Sequence, residues 1–321
     1  MRSRPTRRRL LGAAGLAAAG LCTAAFRSHA AARGLTTRTR AGLAFGTTVA
    51  LTAAGPDPAV LEDALGAGVS AMRTIEAAAS LFRTDGALTR LNRSGHLDAP
   101  PDDLVTLLRF ALDLAARTDG AFDPTVQPLW PVWSEAAARG VRPETDGIAQ
   151  AVARVGWRRV HLGPDRIELE PGTALTLNAL IQGHAADRVM AALRARGIAD
   201  AFVDTGEFGA SGAHPDGSPW RLGIADPRRP EAVAAVIAPF TGFAATSGDY
   251  NMSFSPDRAD HHIFDPSTGR SPTELASVTV TAPTGILADG LSTACMVLGR
   301  ARGERLVARW PGCTAQIVGK A

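Results

Sequence analysis

The order of the secondary-structure signals along the chain is the feature that most restricts its fold. In the first half, apolar residues recur at helical spacing over 59–79 and again over 104–115. In the second half, Val-rich and Thr-rich stretches over 219–225, 233–245 and 275–281 are typical of strands. Because strands and helices do not alternate regularly, the pattern predicts an α+β fold with mixed, largely antiparallel sheets and packed helices.

The first thirty residues are predicted to be an export signal and not part of that fold. They hold six arginines and no acid, followed by an apolar run over 10–26 and small residues at 28–30. The arginines before Leu10 resemble a twin-arginine signal, which exports folded proteins and favours a periplasmic location. The alternative is an uncleaved N-terminal anchor. We expect 31–43 to be a linker and 44–321 to be one domain.

The charge of the chain belongs largely to this leader. The formal net charge of +3 becomes 3 − 6 = −3 once residues 1–30 are removed. No basic patch with interleaved aromatic residues is present, so nucleic acid is not an expected partner. The remaining cysteines, Cys295 and Cys313, could pair in an oxidising compartment or stay as two buried thiols.

A polar stretch from His261 to Arg270 contains the first candidate for chemistry. His261 and His262 are adjacent, Asp265 follows, and Asp-Pro-Ser-Thr-Gly indicates a turn. Imidazole titrates near neutral pH, so a histidine held beside an aspartate is a candidate proton acceptor. The alternative is a polar hairpin with solvated histidines.

The second candidate is the pair Asp289 and Thr293. If a helix begins here, the i, i+4 spacing places a carboxylate and a hydroxyl on one face, which is an oxygen pair suited to Mg²⁺. The alternative is that Asp289 only caps the helix. Residues 176–184 read as a strand that runs through small residues into a helix, which allows close backbone approach to a ligand. The polar turn 246–248 is interpreted as a ligand contact.

Six short blocks in fixed order, spanning about 45 to 300, resemble the ApbE family of FAD:protein FMN transferases. The blocks are Phe45-Gly46-Thr47, Gly120-Ala121-Phe122-Asp123-Pro124, Gln182-Gly183 with Asp187, Thr246-Ser247-Gly248-Asp249, His262-Ile263-Phe264-Asp265-Pro266 with Thr268-Gly269, and Asp289 with Thr293. The resemblance implies an ApbE-like (T-fold-like) fold. Residues 178–183 and 214–220 look most like the exported NosX-type branch, which is linked to nitrous oxide respiration.

The resemblance implies a Mg²⁺-dependent FAD:protein FMN transferase. Such an enzyme moves FMN from FAD to a Thr or Ser hydroxyl of a periplasmic or membrane flavoprotein, here a NosR-like or other respiratory protein, and releases AMP. Asp289, Thr293 and the carbonyl of Ala179 match the metal ligands, and His262 matches the base. The implied FAD contacts are Phe45, Phe82, Ala121, Phe122, Asp123, Thr176, Gln182, Thr246, Ser247, Gly248 and Ile263.

The chain also departs from the family pattern. Phe45 stands for a usual Met, Thr176 for an Asp, Gln182 for a Lys, and Glu207 for the second glycine of a turn. Gln182 can form hydrogen bonds but cannot neutralise phosphate charge. Two alternatives therefore stay beside the transferase, an FAD pyrophosphatase that uses water and a non-catalytic FAD carrier.

Overall fold

A computed structural model describes residues 34–229 and 231–320, so the predicted leader at 1–30 lies outside the described residues. Over the described ranges, seven antiparallel strands form the main sheet in the order β1-β2-β6-β7-β10-β11-β12, with smaller sheets β3-β5-β4 and β8-β9. The strands are β1 (Thr36–Ala44), β2 (Thr47–Gly55), β3 (His96–Asp98), β4 (Val160–Leu162), β5 (Arg166–Leu169), β6 (Asp200–Asp204), β7 (Phe208–Ser211), β8 (Leu222–Ala225), β9 (Val233–Ile237), β10 (Gly242–Gly248), β11 (Leu275–Ala282) and β12 (Thr314–Gly319). The helices are α1 (Pro58–Ala79), α2 (Ala87–Ser94), α3 (Asp102–Arg117), α4 (Leu129–Ala138), α5 (Thr145–Val152), α6 (Ile181–Arg194), α7 (Gly285–Leu298) and α8 (Arg300–Val307). The predicted α+β class is confirmed.

Helix α1 shows how local sequence sets an element. Asp57 caps it by accepting the Ala59 N–H at 2.8 Å, and Pro58 occupies the first turn, where its missing N–H costs nothing. Its predicted apolar face is buried, with Leu61 and Ile75 fully inside. The main core therefore forms where α1, α3, α6 and α7 cover the seven-stranded sheet.

The segment expected to be a linker contributes a strand. Thr36–Ala44 is β1, the edge strand that pairs with β2 from Thr36 opposite Gly55 to Ala44 opposite Thr47. Most of β1 is exposed, so its sequence carries no alternation of buried and polar residues from which a strand could be predicted. An edge strand of this kind is held by its backbone ladder and by the turn that follows it.

The strand predicted at the start of 176–184 is wrong, because residues 174–177 form no strand, and the two short strands before them are β4 and β5. In place of a neighbouring strand, the Asn92 side chain forms hydrogen bonds with the backbone of Leu175. It donates to the Leu175 carbonyl at 2.8 Å and accepts from the Leu175 N–H at 2.7 Å. Thr176 then donates its N–H to the Pro124 carbonyl at 2.8 Å. One amide side chain on α2 thus replaces a strand partner, and the Thr176 N–H joins 174–177 to the loop after α3.

Two further observations concern the cysteines and the membrane. Cys295 and Cys313 are free thiols, and burial raises the pKa of Cys295 to about 12. Across the described residues, no helix combines the length and apolar character needed to span a membrane.

Candidate active site

The candidate site is built where the N-terminal ends of α6 and α7 meet. Gly183 on α6 and Gly285 on α7 touch so closely that a Cβ on either would overlap the carbonyl oxygen of the other. Only glycine allows this approach. The small residues of 176–184, interpreted above as room for a ligand, therefore also serve the packing of two helices.

Asp187 caps α7 from the neighbouring helix. Its carboxylate oxygens accept the N–H groups of Gly285 at 2.6 Å and Ile286 at 2.9 Å. Helix α7 begins four residues before Asp289, so Asp289 lies in its second turn. The alternative in which Asp289 merely caps the helix is thereby wrong, because Asp187 already supplies that function.

Asp289 points one carboxylate oxygen at α6 and leaves the other free. Its Oδ2 accepts the Gly183 N–H at 3.0 Å, whereas Oδ1 has no hydrogen-bond partner among the described residues. Burial and the nearby Asp187 charge raise the pKa of Asp289 to about 7. A buried carboxylate without a basic partner is costly unless a cation compensates it.

Two further oxygen atoms belong to the predicted cation site, the Thr293 hydroxyl and the Ala179 carbonyl. Thr293 lies one helical turn beyond Asp289, and its hydroxyl is 2.9 Å from the Ser247 hydroxyl on β10. The Gly183 N–H, which could have closed a helical turn onto the Ala179 carbonyl, is bonded to Asp289 instead. No described residue donates a hydrogen bond to that carbonyl.

These donors suit a hard divalent cation such as Mg²⁺. A carboxylate, a hydroxyl and a carbonyl are the oxygen types that Mg²⁺ accepts, and it completes its shell with water and phosphate oxygens. Nowhere in the described ranges do three His, Cys, Asp or Glu side chains converge on one point, so a site of zinc type is not formed there.

Gln182 and Glu207 lie beside this group. The backbone carbonyl of Gln182 accepts a hydrogen bond from the Thr205 hydroxyl at 2.8 Å. The side-chain amide of Gln182 rests on Gly206, so a Cβ there would overlap the amide, and Gly206 has a φ of +94° that also favours glycine. Glu207 is buried, and its Oε2 accepts the Thr246 N–H at 3.0 Å. Burial, followed by the Asp289 charge, raises the pKa of Glu207 well above its usual range.

His262 is held as a neutral ring with one nitrogen available. Its Nδ1 lies 3.1 Å from the Met252 carbonyl, which can only accept, so Nδ1 carries the proton and Nε2 keeps its lone pair. Burial lowers the pKa of His262. Asp265 is not its partner: that carboxylate accepts from Ser267 within the predicted turn. A backbone carbonyl, invisible in the sequence pattern, orients the imidazole.

A buried ion cluster supports the loop that carries His262. Asp249 is fully buried, and Arg228 grips both of its oxygens at 2.8 and 2.9 Å. Lys320, the one lysine of the sequence, lies 3.5 Å from the same carboxylate. Sequence reasoning missed this cluster because its members are far apart in the chain. The Asp249 charge favours the protonated form of His262, opposing part of the effect of burial on the pKa.

His261 faces the interior and has a structural function. It is fully buried, its Nε2 lies 3.1 Å from the Pro272 carbonyl, and its backbone N–H donates to Ser271 at 2.7 Å. Burial lowers the pKa of His261 to about 4. Of the two adjacent histidines, only His262 is therefore placed to exchange a proton with a substrate.

The stability of the protein should consequently fall in acid because of His261. Its folded pKa is lowered, so the unfolded chain binds its proton first, and stability is lost as pH falls from about 6.5 towards about 4. Urea unfolding at pH 7.5 and at pH 4.5 gives the free energy of unfolding at each pH. Between the two, the free energy of unfolding of wild type should fall by roughly 2 to 3 kcal/mol more than that of His261→Gln. His161→Gln, at an exposed position on β4, is the control and should lose as much free energy of unfolding between the two pH values as wild type does. Equal losses for wild type and His261→Gln would contradict the conclusion that His261 causes the loss of stability in acid.

The remaining predicted FAD contacts fall into two groups. Phe45, buried with φ of +53°, forms the β1–β2 turn with Gly46. Phe82, 58% exposed, lies in the turn after α1, and its ring covers Gly46. Glu76 fixes the β1–β2 turn by accepting the Phe45 N–H at 2.8 Å. An exposed aromatic ring on a rigid turn can stack on a flat ligand.

The second group lies in the loop after α3. Ala121 is half-buried and Phe122 is buried. The Asp123 carboxylate is engaged by the protein, accepting the N–H groups of Thr125 and Trp157, both at 2.8 Å. Burial raises its pKa. Asp123 thus shapes the loop, and a ligand would meet backbone or neighbouring side chains here.

The structure therefore connects the Gln182–Gly183 segment with Asp289, and Thr293 with Ser247, by hydrogen bonds. Ala179 lies three residues before Gln182 and has no hydrogen bond to this set. Gly248 and Thr246 follow on the same strand, with the Thr246 hydroxyl 2.8 Å from that of Thr279. Ile263 is buried beside His262. Among the described residues, no hydrogen bond joins the β1–β2 turn to Asp289, Thr293 or Ser247.

Comparison with known proteins gives one consistent result. The model of the ApbE family matches residues 45–317. The FAD:protein FMN transferase of Treponema pallidum (strain Nichols) is 32% identical over 261 residues, covering 74% of this chain and 72% of that protein. The enzyme of the same name from Salmonella typhimurium is 33% identical over 244 residues, covering 72% and 69%. The apo crystal structure of the Pseudomonas stutzeri flavinyl transferase ApbE superposes with a TM-score of 0.77 at 32% identity, covering 89% of this chain and 92% of that one.

Proposed function

Because the chain belongs to the ApbE family, we propose that it is a Mg²⁺-dependent FAD:protein FMN transferase. The observation that carries the proposal is the oxygen group of Asp289, Thr293 and Ala179 on the same chain as a neutral His262 with a free nitrogen. A phosphate-binding cation and a proton acceptor are the two components that transfer of a phosphoryl-linked group to a hydroxyl requires.

The proposed reaction exchanges the phosphoanhydride bond between the two phosphates of FAD for a phosphoester bond to the acceptor protein. A Thr or Ser oxygen of the acceptor protein attacks the phosphorus on the FMN side of FAD, and the bond to the bridging oxygen breaks. AMP leaves with that oxygen, and the hydroxyl proton passes to His262 Nε2. Alignment of hydroxyl and phosphorus, more than covalent chemistry, carries such a transfer.

Each part of the site has a defined task in this proposal. Asp289, Thr293 and the Ala179 carbonyl would hold the cation, which when bound neutralises phosphate charge and acts as a Lewis acid. The Met252 carbonyl keeps His262 in the tautomer that accepts a proton. The aromatic rings of Phe45 and Phe82 would cover a flat ring of FAD.

The cell compartment and the acceptor form a further part of the proposal. The arginine-rich, apolar leader supports export, with a twin-arginine route to the periplasm. The acceptor would then be a periplasmic or membrane flavoprotein with a Thr or Ser target, for which a NosR-like respiratory protein of the nitrous oxide system is our candidate. Replacing Arg8 and Arg9 by lysine in the full chain should retain it in the cytoplasm. Unchanged periplasmic recovery would remove the twin-arginine assignment.

Mass spectrometry of a candidate acceptor tests the central activity. Incubation with the protein, FAD and Mg²⁺ should add FMN to the acceptor and release one AMP for each FMN attached. If the acceptor stayed unmodified while free FMN and AMP appeared, the protein would be an FAD pyrophosphatase that uses water. The uncharged Gln182, which stands where the family has a Lys, is the reason to measure this outcome. Intact FAD that co-purifies and survives Mg²⁺ would indicate a carrier.

A further inference from the structure

Glu207 is a buried acid for which the proposed reaction has no use so far. It lies at the start of β7, 8% exposed, and no lysine or arginine of the described residues forms an ion pair with it. Its Oε2 is occupied by the Thr246 N–H, and its own backbone carbonyl accepts the Thr205 N–H at 2.9 Å. The backbone of Glu207 is thereby fixed, and only Oε1 is left without a partner.

The position of Oε1 follows from the hydrogen-bond inventory. Among the described residues, every fully buried side-chain nitrogen or oxygen has a hydrogen-bond partner. Oε1 of Glu207 and Oδ1 of Asp289 have none, so both atoms must be reachable by solvent. Two carboxylates that are otherwise buried thus each keep one oxygen that is accessible to solvent and has no hydrogen-bond partner.

Two short paths of contacts connect Glu207 with the residues around Asp289. Glu207 is bonded to Thr246, whose neighbour Ser247 contacts Thr293 at 2.9 Å. In the second path, the Gln182 side chain packs on Gly206, which precedes Glu207. Gly183, the residue after Gln182, donates its N–H to Asp289. The charge of Asp289 also raises the pKa of Glu207, as expected for carboxylates in proximity.

We propose that Glu207 is a second carboxylate donor to the divalent cation of Asp289, binding it directly or through one of its water ligands. The inference rests on the proposed cation site and assigns to that site a residue beyond Asp289, Thr293 and Ala179. Mg²⁺ retains several waters in most protein sites, and carboxylates commonly bind through them. With Glu207 in place, the protein holds a divalent cation before any nucleotide is bound.

The charge balance of the site supports this assignment. Glu207 and Asp289 bring two carboxylates to this part of the fold, while Gln182, whose side chain rests on Gly206, supplies no positive charge. A divalent cation would match the two carboxylates in charge. Buried charges without such compensation are unfavourable.

Calorimetric titration of the metal-free full-length protein with Mg²⁺ and with Mn²⁺, in the absence of FAD, tests the inference. Glu207→Gln keeps the side-chain shape and the acceptor for Thr246, and it should weaken cation binding about 10-fold or more. Asp204→Asn is the matched control. It removes a charge from the same turn but keeps the acceptor for the Gly206 N–H, and it should change affinity less than about 2-fold.

Equal affinities of wild type and Glu207→Gln, or no cation binding by wild type without nucleotide, would overturn the inference. Glu207→Gly serves as a second variant, and melting temperatures in EDTA show whether each variant folds. Transfer of FMN to the acceptor is measured separately with Mg²⁺ in excess. A protein that transfers FMN but does not bind cations through Glu207 would refute this inference alone, and the reverse result would refute only the proposed function.

Discussion

Replacing Asp289 with alanine should abolish Mg²⁺-dependent turnover of FAD, with a loss of at least about 100-fold in the rate of AMP release. The variant removes the carboxylate oxygen left free for a cation. It should keep its fold, because the cap of α7 comes from Asp187 and not from Asp289. AMP release is measured by chromatography with FAD and Mg²⁺ at saturating concentration, and circular dichroism verifies the fold.

The alanine variant also removes the acceptor of the Gly183 N–H, so a second variant separates the two effects. Asp289→Asn keeps a carbonyl oxygen for Gly183 but loses the negative charge. Both variants should be equally inactive while the Asn variant melts closer to wild type. If Asp289→Asn turned over FAD at the wild-type rate, a cation bound to this carboxylate would be excluded from the reaction.

The elements predictable from the sequence are those whose information is local. Helix α1 carries its cap, its proline and its apolar face within some twenty consecutive residues, so the predicted helix over 59–79 is confirmed. The same applies to α3, with Asp102 and Asp103 in its first turn. The i, i+4 relation of Asp289 and Thr293 on one helix is likewise a property of a short segment.

What could not be predicted depends on contacts between distant parts of the chain. Strand β1 exists because β2 pairs with it, and 174–177 is no strand because the Asn92 side chain occupies its backbone groups. The cap on α7 comes from Asp187, 98 positions before Gly285. Neither partner of such a pair carries a local signal of the other.

The candidate site divides in the same way. Resemblance to a family indicates residue positions, including His262 and Asp289, but it does not reveal what orients them. The Met252 carbonyl, the Arg228–Asp249 ion pair and the free oxygen of Glu207 become visible only in three dimensions. Glu207 began as a departure from a sequence pattern, and its surroundings give it a chemical environment that can be tested.

His262→Ala should slow FMN transfer to the acceptor by about 100-fold or more while leaving the affinity for FAD within about 2-fold of wild type. Such a split between rate and binding distinguishes a proton acceptor from a residue that only contacts the ligand. The rate is measured as FMN attached per minute under saturating FAD, and the affinity by flavin fluorescence without Mg²⁺. His161→Ala, at an exposed position on β4, is the control and should behave as wild type.

The pH dependence of the same reaction gives a second test of His262. Because burial lowers the pKa of His262, its neutral, proton-accepting form persists below pH 6.5. With Mg²⁺ in excess, so that a bound cation would keep Asp289 ionised, the rate of wild type should decline only in more acidic solution. The decline reports protonation of Nε2, the nitrogen left free by the bond from Nδ1 to Met252. In His262→Ala that acidic limb should disappear, leaving a slow rate without it. If His262→Ala transferred FMN as fast as wild type, or if its rate declined at the same acidic pH, another group would be the proton acceptor, because this variant has no imidazole at position 262.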